Sequence, residues 1–417
     1  MVKRRPQRFF RYIKKAGRMI AYLVLFFIGL ILLITLWYYT SCPVYTFSPP
    51  NPFKGDSLYN PYMNISEKKW WKGNFQVQSR AWGGITSGRG NSNEKIEKIY
   101  SSLGYDIIAT SDYQRINRFG IRKPSYIPTY EHGYGIHKTH QICLGSQKVL
   151  WRDYPFYQGL NHKQHILNCL GIQNEIIAIA HPDLRDGYLK EEMKYLSGYH
   201  LMEVFNRART SLAHWDSALS SGYPAFLLAN DDAHNVTNPY EIGRYATFVQ
   251  SDTLVARHIL EALKKGRAYG VRIAYKEGET LEEKKLHALR LPSLKEVSFS
   301  NDTLKIEVSP SASEFRFVGQ NGVILKNVKE TNFAYYVIKP SDTYIRTEIS
   351  FPSQDIIFLN PIFRYQGGKI TWPIRYIINQ QASFIHYILW GSGGLILLFM
   401  SGLLIKKHHF RKAHENQ

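Results

Sequence analysis

The stretch 225-AFLLANDDAHNVT-237 decides how this chain is read: an apolar run stops abruptly at Asn230, Asp231, Asp232 and His234. A short apolar segment without alternation is what a strand buried on both faces looks like. Carboxylates and an imidazole buried at its end are costly unless they find partners or a metal. The segment therefore reads as a strand that delivers polar groups to one point.

The same construction recurs. Strands are expected at 74–79 (NFQVQS), 106–112 (DIIATSD), 141–145 (QICLG), 175–181 (EIIAIAH), 201–206 (LMEVFN) and 225–231 (AFLLAND). Helical patterns lie between them at 91–104, 161–171, 211–222 and 253–266, the last two ending at Gly222 and Gly266, a usual helix stop. Strand–helix alternation of this kind implies a parallel α/β architecture, whose chemistry gathers at the carboxyl ends of the strands. The polar ends SD, AH, EVFN and NDDAH would then converge on one rim. After residue 280 the pattern changes to short alternating runs separated by Ser, Asn, Asp, Gly and Pro, the signature of an antiparallel β-sandwich over 284–366, with a hairpin turn at QNG, 320–322.

Charge and hydropathy place this body. The chain of 417 residues carries a formal net charge of +20. Residues 1–18 hold eight Lys/Arg and no acid, and 406–417 hold four Lys/Arg and one Glu, so about +9 is left for everything between. Each basic end abuts a charge-free stretch long enough to cross a bilayer, 19–39 and 384–405. Trp37, Tyr38, Tyr39, Tyr387 and Trp390 lie toward the far ends, where interfacial aromatics belong. The first run is longer than the apolar core of a signal peptide, and no small-residue cleavage site follows it. The positive-inside rule puts both termini in the cytoplasm and residues 40–383 outside. The expected order is a basic terminus (1–18), a span (19–39), a linker (40–69) rich in Pro, Asn and Ser, an α/β domain (70–275), the sandwich (284–366), a second span (384–405) and a basic tail (406–417). The bilayer is the expected partner. No nucleic-acid reading module is visible, and no nucleic-acid partner is expected. Cys42, Cys143 and Cys169 do not make a disulfide framework, although one bridge is compatible with an extracytoplasmic site.

Taken singly, the polar residues are ordinary: His181-Pro182 is a common loop start, and Glu131 suits a solvated loop. Together, acids and imidazoles ending successive strands are what a Zn, Mn or Fe hydrolase needs, because a divalent ion bound by His and carboxylate lowers the pKa of water.

The motif order is SD at 111–112, an isolated Glu131, THQICLG at 139–145, AHPD at 180–183, EVFN at 203–206 and DDAHN at 231–235. It resembles the PHP (polymerase and histidinol phosphatase) superfamily, metal-dependent phosphoesterases on a distorted (β/α)7 barrel. HWDSALSSGYPAFLLANDDAHN (214–235), ILEALKKGRAYG (259–270) and the trailing FLNPIF (358–363) resemble its CehA-like metallohydrolase branch. The resemblance covers roughly residues 70–366. It implies that Glu131, His140 and His181 hold one divalent ion. Asp232 and His234 would serve as further ligand, general base or support. His132 and His137 are rivals to His140 in the same loop. Arg207 and Arg209, just past EVFN, are candidates to hold an anionic ester oxygen.

The chain departs from the family in three places, one of them a family histidine expected near Gly83-Gly84, where there is none. The family's opening H-x-H is Gln76-Val77-Gln78 here, and its Asp-His is Asp112-Tyr113. Glutamine is a poor ligand for transition metals, so the implied site is reduced to one or two ions. The resemblance implies a metal-dependent hydrolase of a phosphoester or related ester, which the two expected spans would anchor in a membrane facing outward. A barrel that has lost hydrolysis and binds an envelope ligand is the alternative.

Overall fold

The computed structural model describes residues 5–63, 69–86, 88–300 and 302–414; the first four residues of the basic N-terminus and the last three of the tail lie outside them. The chain divides into two compact units, Phe47–Ile377 and a second formed by Met1–Thr46 with Ile378–Gln417.

The larger unit is mixed α/β. Thr129–His132, Gln141–Leu144, Ile176–Ile179, Leu201–Asn206 and Phe226–Asn230 form a five-stranded sheet in that order. The first two pairings are antiparallel, the last two parallel. Every residue of these strands is buried, which is why four of the five read as continuous apolar runs. Thr129–His132, with the sequence TYEH, has no such run.

A ten-stranded sheet follows the order Ser293–Ser300, Thr303–Val318, Tyr344–Ser350, Ile356–Tyr365, Ala268–Arg272, Tyr245–Ser251, Lys69–Asn74 and Ile107–Ile108. Ile324–Val337 and Ser57–Tyr59 branch from it. The antiparallel strands expected at 284–366 are present, with the Gln320–Gly322 turn joining two of them. They do not stand apart as a sandwich: Ile356–Tyr365 pairs with Ala268–Arg272 and carries the sheet on into the α/β strands.

The strands likewise fall into two sheets and not one closed ring. Single parallel bridges, Val77 to Ala233 and Tyr113 to Glu131, connect the first segments to the site-bearing ones. The reason is local. In place of the strand expected at 74–79 the chain has Lys69–Asn74, which stops at Asn74; there the side chain takes over the pairing: Nδ2 donates to the Gln76 carbonyl (3.0 Å) and Oδ1 accepts from the Asp231 amide (2.8 Å). The strand expected at 106–112 shortens to Ile107–Ile108.

Helices occur at Asn93–Ser102, Leu160–Gly171, Leu212–Ser220 and Ala256–Lys264, as the spacing predicts. A further helix, Leu281–Ala288, starts at a reciprocal cap between Thr280 and Glu283. Gly222 follows Leu212–Ser220 with φ +77°, and a Cβ there would lie 2.1 Å from the Asn51 carbonyl oxygen. Gly222→Ala combines left-handed strain with a backbone collision and should cost about 1–3 kcal/mol in thermal unfolding. Cys143 and Cys169 are free thiols.

In the smaller unit, Ile13–Thr40 is a 28-residue stretch of helix whose apolar window has mean hydropathy 2.9 and no buried residue. Among the described residues it is the one helix long and apolar enough to cross a bilayer. The second expected span falls within the helix Gln380–His414, several of whose side chains lie outside the described set. The two helices pack together: Tyr39 stacks on Trp390 at 6.2 Å, Trp37 meets Tyr387 edge-on, and a Cβ on Gly394 would fall 2.4 Å from Leu36.

Candidate metal centre

The segment that opened the reading divides its labour residue by residue. Asn230 ends its strand and ties it to two neighbours: Oδ1 accepts from the Phe75 amide (2.7 Å) and Nδ2 donates to Glu203 Oε1 (2.9 Å). Asp231 faces away from the other acid. Its carboxylate accepts from the amides of Gly243, Arg244 and Tyr245 (2.7–2.8 Å) and from the Tyr100 hydroxyl (3.0 Å). It is a structural anchor that closes the loop before the Tyr245–Ser251 strand. Asp232 follows with φ +50°, in the left-handed region. That turn sends its side chain toward the neighbouring strand ends, where Oδ2 accepts from Asn206 Nδ2 (3.2 Å) and Oδ1, buried, has no hydrogen-bond partner.

Glu131 leaves the Thr129–His132 strand, His140 directly precedes Gln141–Leu144, and His181 follows Ile176–Ile179. One donor atom from each lies within 4.8 Å of the others. The three side chains are 0%, 1% and 2% exposed. Glu131 Oε1 receives His140 Nδ1 at 2.5 Å and His181 Nε2 at 3.4 Å, while Gln78 Nε2 donates to Oε2 at 2.6 Å. His181 is also held in the left-handed region, φ +26°, its amide donating to Glu203 Oε2 at 2.9 Å. Two residues with this backbone at one buried spot are strain concentrated where groups must be aimed.

The electrostatics follow from burial and proximity. Burial raises the Glu131 carboxyl, but the imidazoles of His140 and His181 outweigh it and hold the group well below the ordinary carboxylate range. Burial alone would lower His181; the Glu131 hydrogen bond and charge reverse this and raise it to about 9. His140 is pushed down, chiefly by burial. Glu203 is pushed up to about 8 by burial, and Asp232 is also raised by burial.

The Gln76-Val77-Gln78 segment runs beside Asp232 and Ala233. The Asp232 amide donates to the Gln76 carbonyl, and the Gln78 amide to the Ala233 carbonyl, both at 3.0 Å. The two side-chain amides point inward: Gln78 donates to Glu131 and Gln76, with its amide nitrogen turned inward, to Glu203. Asp112 is occupied by the Ser79 amide and hydroxyl (both 2.8 Å) and by Asn117. The Tyr113 ring lies edge-on to His140 at 5.5 Å.

The rivals separate cleanly. Both His132 nitrogens are engaged elsewhere, by Gln141 Oε1 (2.6 Å) and the Arg152 carbonyl (2.9 Å), and His137 is exposed. His140 is the member that joins Glu131 and His181. Asp232 stands outside this triad of donors. His234 is partly exposed and turns its Nδ1 to the Asp232 carbonyl (2.9 Å). Neither arginine bonds the triad: Arg207 approaches Glu241 (3.9 Å), which holds the His234 amide, and Arg209 approaches Asp183 (4.0 Å) at the surface. Glu203, Asn206 and Asn230 were expected at the rim without individual roles; Glu203 links His181, Asn206, Asn230 and Gln76. The signal was an acid inside an otherwise apolar strand, LMEVFN.

No family model and no curated protein matches this chain. Among solved structures it is similar to a two-domain protein from Bacteroides vulgatus described as containing a predicted PHP-like metal-dependent phosphoesterase. The identity is 13% and the TM-score 0.39, over 75% of this chain and 98% of that one. At that distance the chemistry must be read from the residues themselves.

Proposed function

We propose that this chain is a membrane-anchored, outward-facing metal-dependent hydrolase of the PHP type, acting on a phosphoester or a related ester. The observation that carries the proposal is the buried convergence of Glu131, His140 and His181. One carboxylate and two imidazoles are a donor set suited to Zn, Mn or Fe. The buried, partnerless atoms beside it, Asp232 Oδ1 and His181 Nδ1, fit a centre that has more to bind than the chain itself provides.

Glu131, His140 and His181 would hold the ion. A divalent ion there supplies Lewis-acid polarisation and activates water near neutral pH. Gln78 orients Glu131, and Glu203 fixes the His181 backbone, so the ligands are aimed by a supporting layer of hydrogen bonds. Asp232 Oδ1 is the free acceptor for a proton, and Asn206 fixes its carboxylate from the other side. Purified full-length protein should carry about one equivalent of divalent metal by elemental mass spectrometry. It should hydrolyse members of a phosphoester panel in a chelator-sensitive, metal-restorable manner. Absence of metal after loading with Zn, Mn and Fe would overturn the reading.

One observation favours a second reading, a hydrolase-like fold retained as an envelope ligand-binding or partner-binding protein. Gln78 and Gln76 present neutral amides to Glu131 and Glu203, where a cation would otherwise balance them. Metal-free protein that still binds an envelope ligand would decide for it.

The anchoring rests on the apolar Ile13–Thr40 helix, the second charge-free stretch and the basic residues at both ends. A reporter fused to the C-terminus should read cytoplasm; an external signal would overturn the two-span topology.

A further inference from the structure

Away from the metal centre, a cavity of about 380 Å³ opens between the segments that begin and end the larger unit, with Ser48 on one side and Arg375 on the other. Its charge is one-sided: Lys54, Arg364, Lys369 and Arg375 line it, and no acidic side chain does. Among the described residues none of the four is in a salt bridge. Arg364 spends its guanidinium on the Asp342 and Lys339 carbonyls (both 2.9 Å), and Lys54 and Lys369 are exposed.

Arg375 is the unusual member. Its side chain is buried, yet its acceptors are all neutral: the Lys194 carbonyl (3.0 Å), the Ser221 hydroxyl (2.7 Å) and the Ser221 carbonyl (2.6 Å). It also lies over the Tyr223 ring, whose centroid is 4.9 Å from the guanidinium carbon. A buried guanidinium without a counter-charge is costly, and the chain supplies no carboxylate there. The cavity walls also lie, in sequence, a few residues beyond the Arg5–Thr40 helix and a few before Gln380–His414.

We propose that this cavity binds the phosphate of an anionic lipid headgroup. A phosphate offers several acceptor oxygens and at least one full charge, which matches guanidinium forks and mobile ammonium groups better than a single carboxylate does. A charged headgroup there compensates Arg375 and recruits Lys54 and Lys369, which have no acidic partner to give up. The site is separate from Glu131, His140 and His181, so it stands or falls independently of hydrolysis.

The test uses the full-length protein in neutral detergent, with thermal unfolding as the readout. Dioctanoyl phosphatidylglycerol, dioctanoyl phosphatidylcholine and inorganic phosphate are the probes. Phosphatidylglycerol should raise the midpoint in a saturable way and phosphatidylcholine should not. In K54Q/K369Q the apparent affinity for phosphatidylglycerol should fall on the order of 10-fold or more, with the unliganded midpoint unchanged. This pair is exposed, so it reports on the cavity even if Arg375→Gln fails to fold. Equal responses to the two lipids, or an unaltered response in the double variant, would overturn the proposal. A full shift from inorganic phosphate at matched concentration would overturn the lipid assignment and make the cavity a site for free phosphate.

Discussion

Glu131→Ala should abolish metal binding, taking bound metal from about one equivalent to a trace and any phosphoesterase activity with it. Glu131 is both a donor of the triad and the acceptor that holds His140, His181 and Gln78 in place. Removing it leaves two imidazoles with no shared partner and a buried glutamine amide with nothing to donate to. Loss of a mere orienting contact lowers metal affinity about 10–100-fold; loss of this ligand should exceed that. Stranding the buried donors should also cost about 2–4 kcal/mol. Glu131→Gln keeps the shape and separates the two effects: most of the stability should return, while metal content should not. Elemental analysis of both variants beside wild type, paired with thermal unfolding, checks this. Full metal content in Glu131→Ala would remove the triad from consideration.

The second large effect separates the twin acids of 225-AFLLANDDAHNVT-237. Asp231→Ala should lower stability by about 3–5 kcal/mol, because three buried backbone amides and the Tyr100 hydroxyl lose their acceptor at once. Asp232→Ala should cost about 1 kcal/mol or less, since its carboxylate accepts one long bond from Asn206 and one oxygen has no partner. Activity should order the other way: a well-folded Asp232→Ala that turns over poorly, against an Asp231→Ala whose loss tracks its unfolded fraction. Equilibrium denaturation and kinetics on the same preparations measure both. Equal stability losses would mean that the two carboxylates share one role.

The sequence showed most where burial is two-sided. Ile176–Ile179 is apolar without interruption, Phe226–Asn230 is apolar up to its last residue, and Leu201–Asn206 is apolar but for Glu203 and its last residue, because both faces of these strands are covered; their polar ends mark the rim. Thr129–His132 escaped notice because TYEH has neither run nor alternation, even though its acid is central to the site. No strand was expected over Lys69–Asn74, whose KWWKGN has neither alternation nor an apolar run and carries two lysines; one of them, Lys72, is buried against the Leu103 carbonyl at 2.9 Å. The preference for His140 over His132 and His137 rests on the resemblance carried by QICLG and not on spacing; in the folded chain both His132 nitrogens are engaged by Gln141 and the Arg152 carbonyl. Gln76 and Gln78 looked like damage to a motif. In the folded chain they are hydrogen-bonded members of the pocket, which only the pairing with Glu203 and Glu131 reveals.

The continuous sheet makes the larger unit indivisible as a folding event. Tyr269, Gly270 and Val271 are each paired to a strand that arrives some ninety residues later in the chain, as Ile357, Phe358 and Leu359. Ending translation after residue 283 would leave that strand as a bare, apolar edge, an invitation to intermolecular pairing. The Ala268–Arg272 strand is therefore complete only when the last strands have emerged, and denaturant should melt it together with Ile356–Tyr365 in one cooperative step.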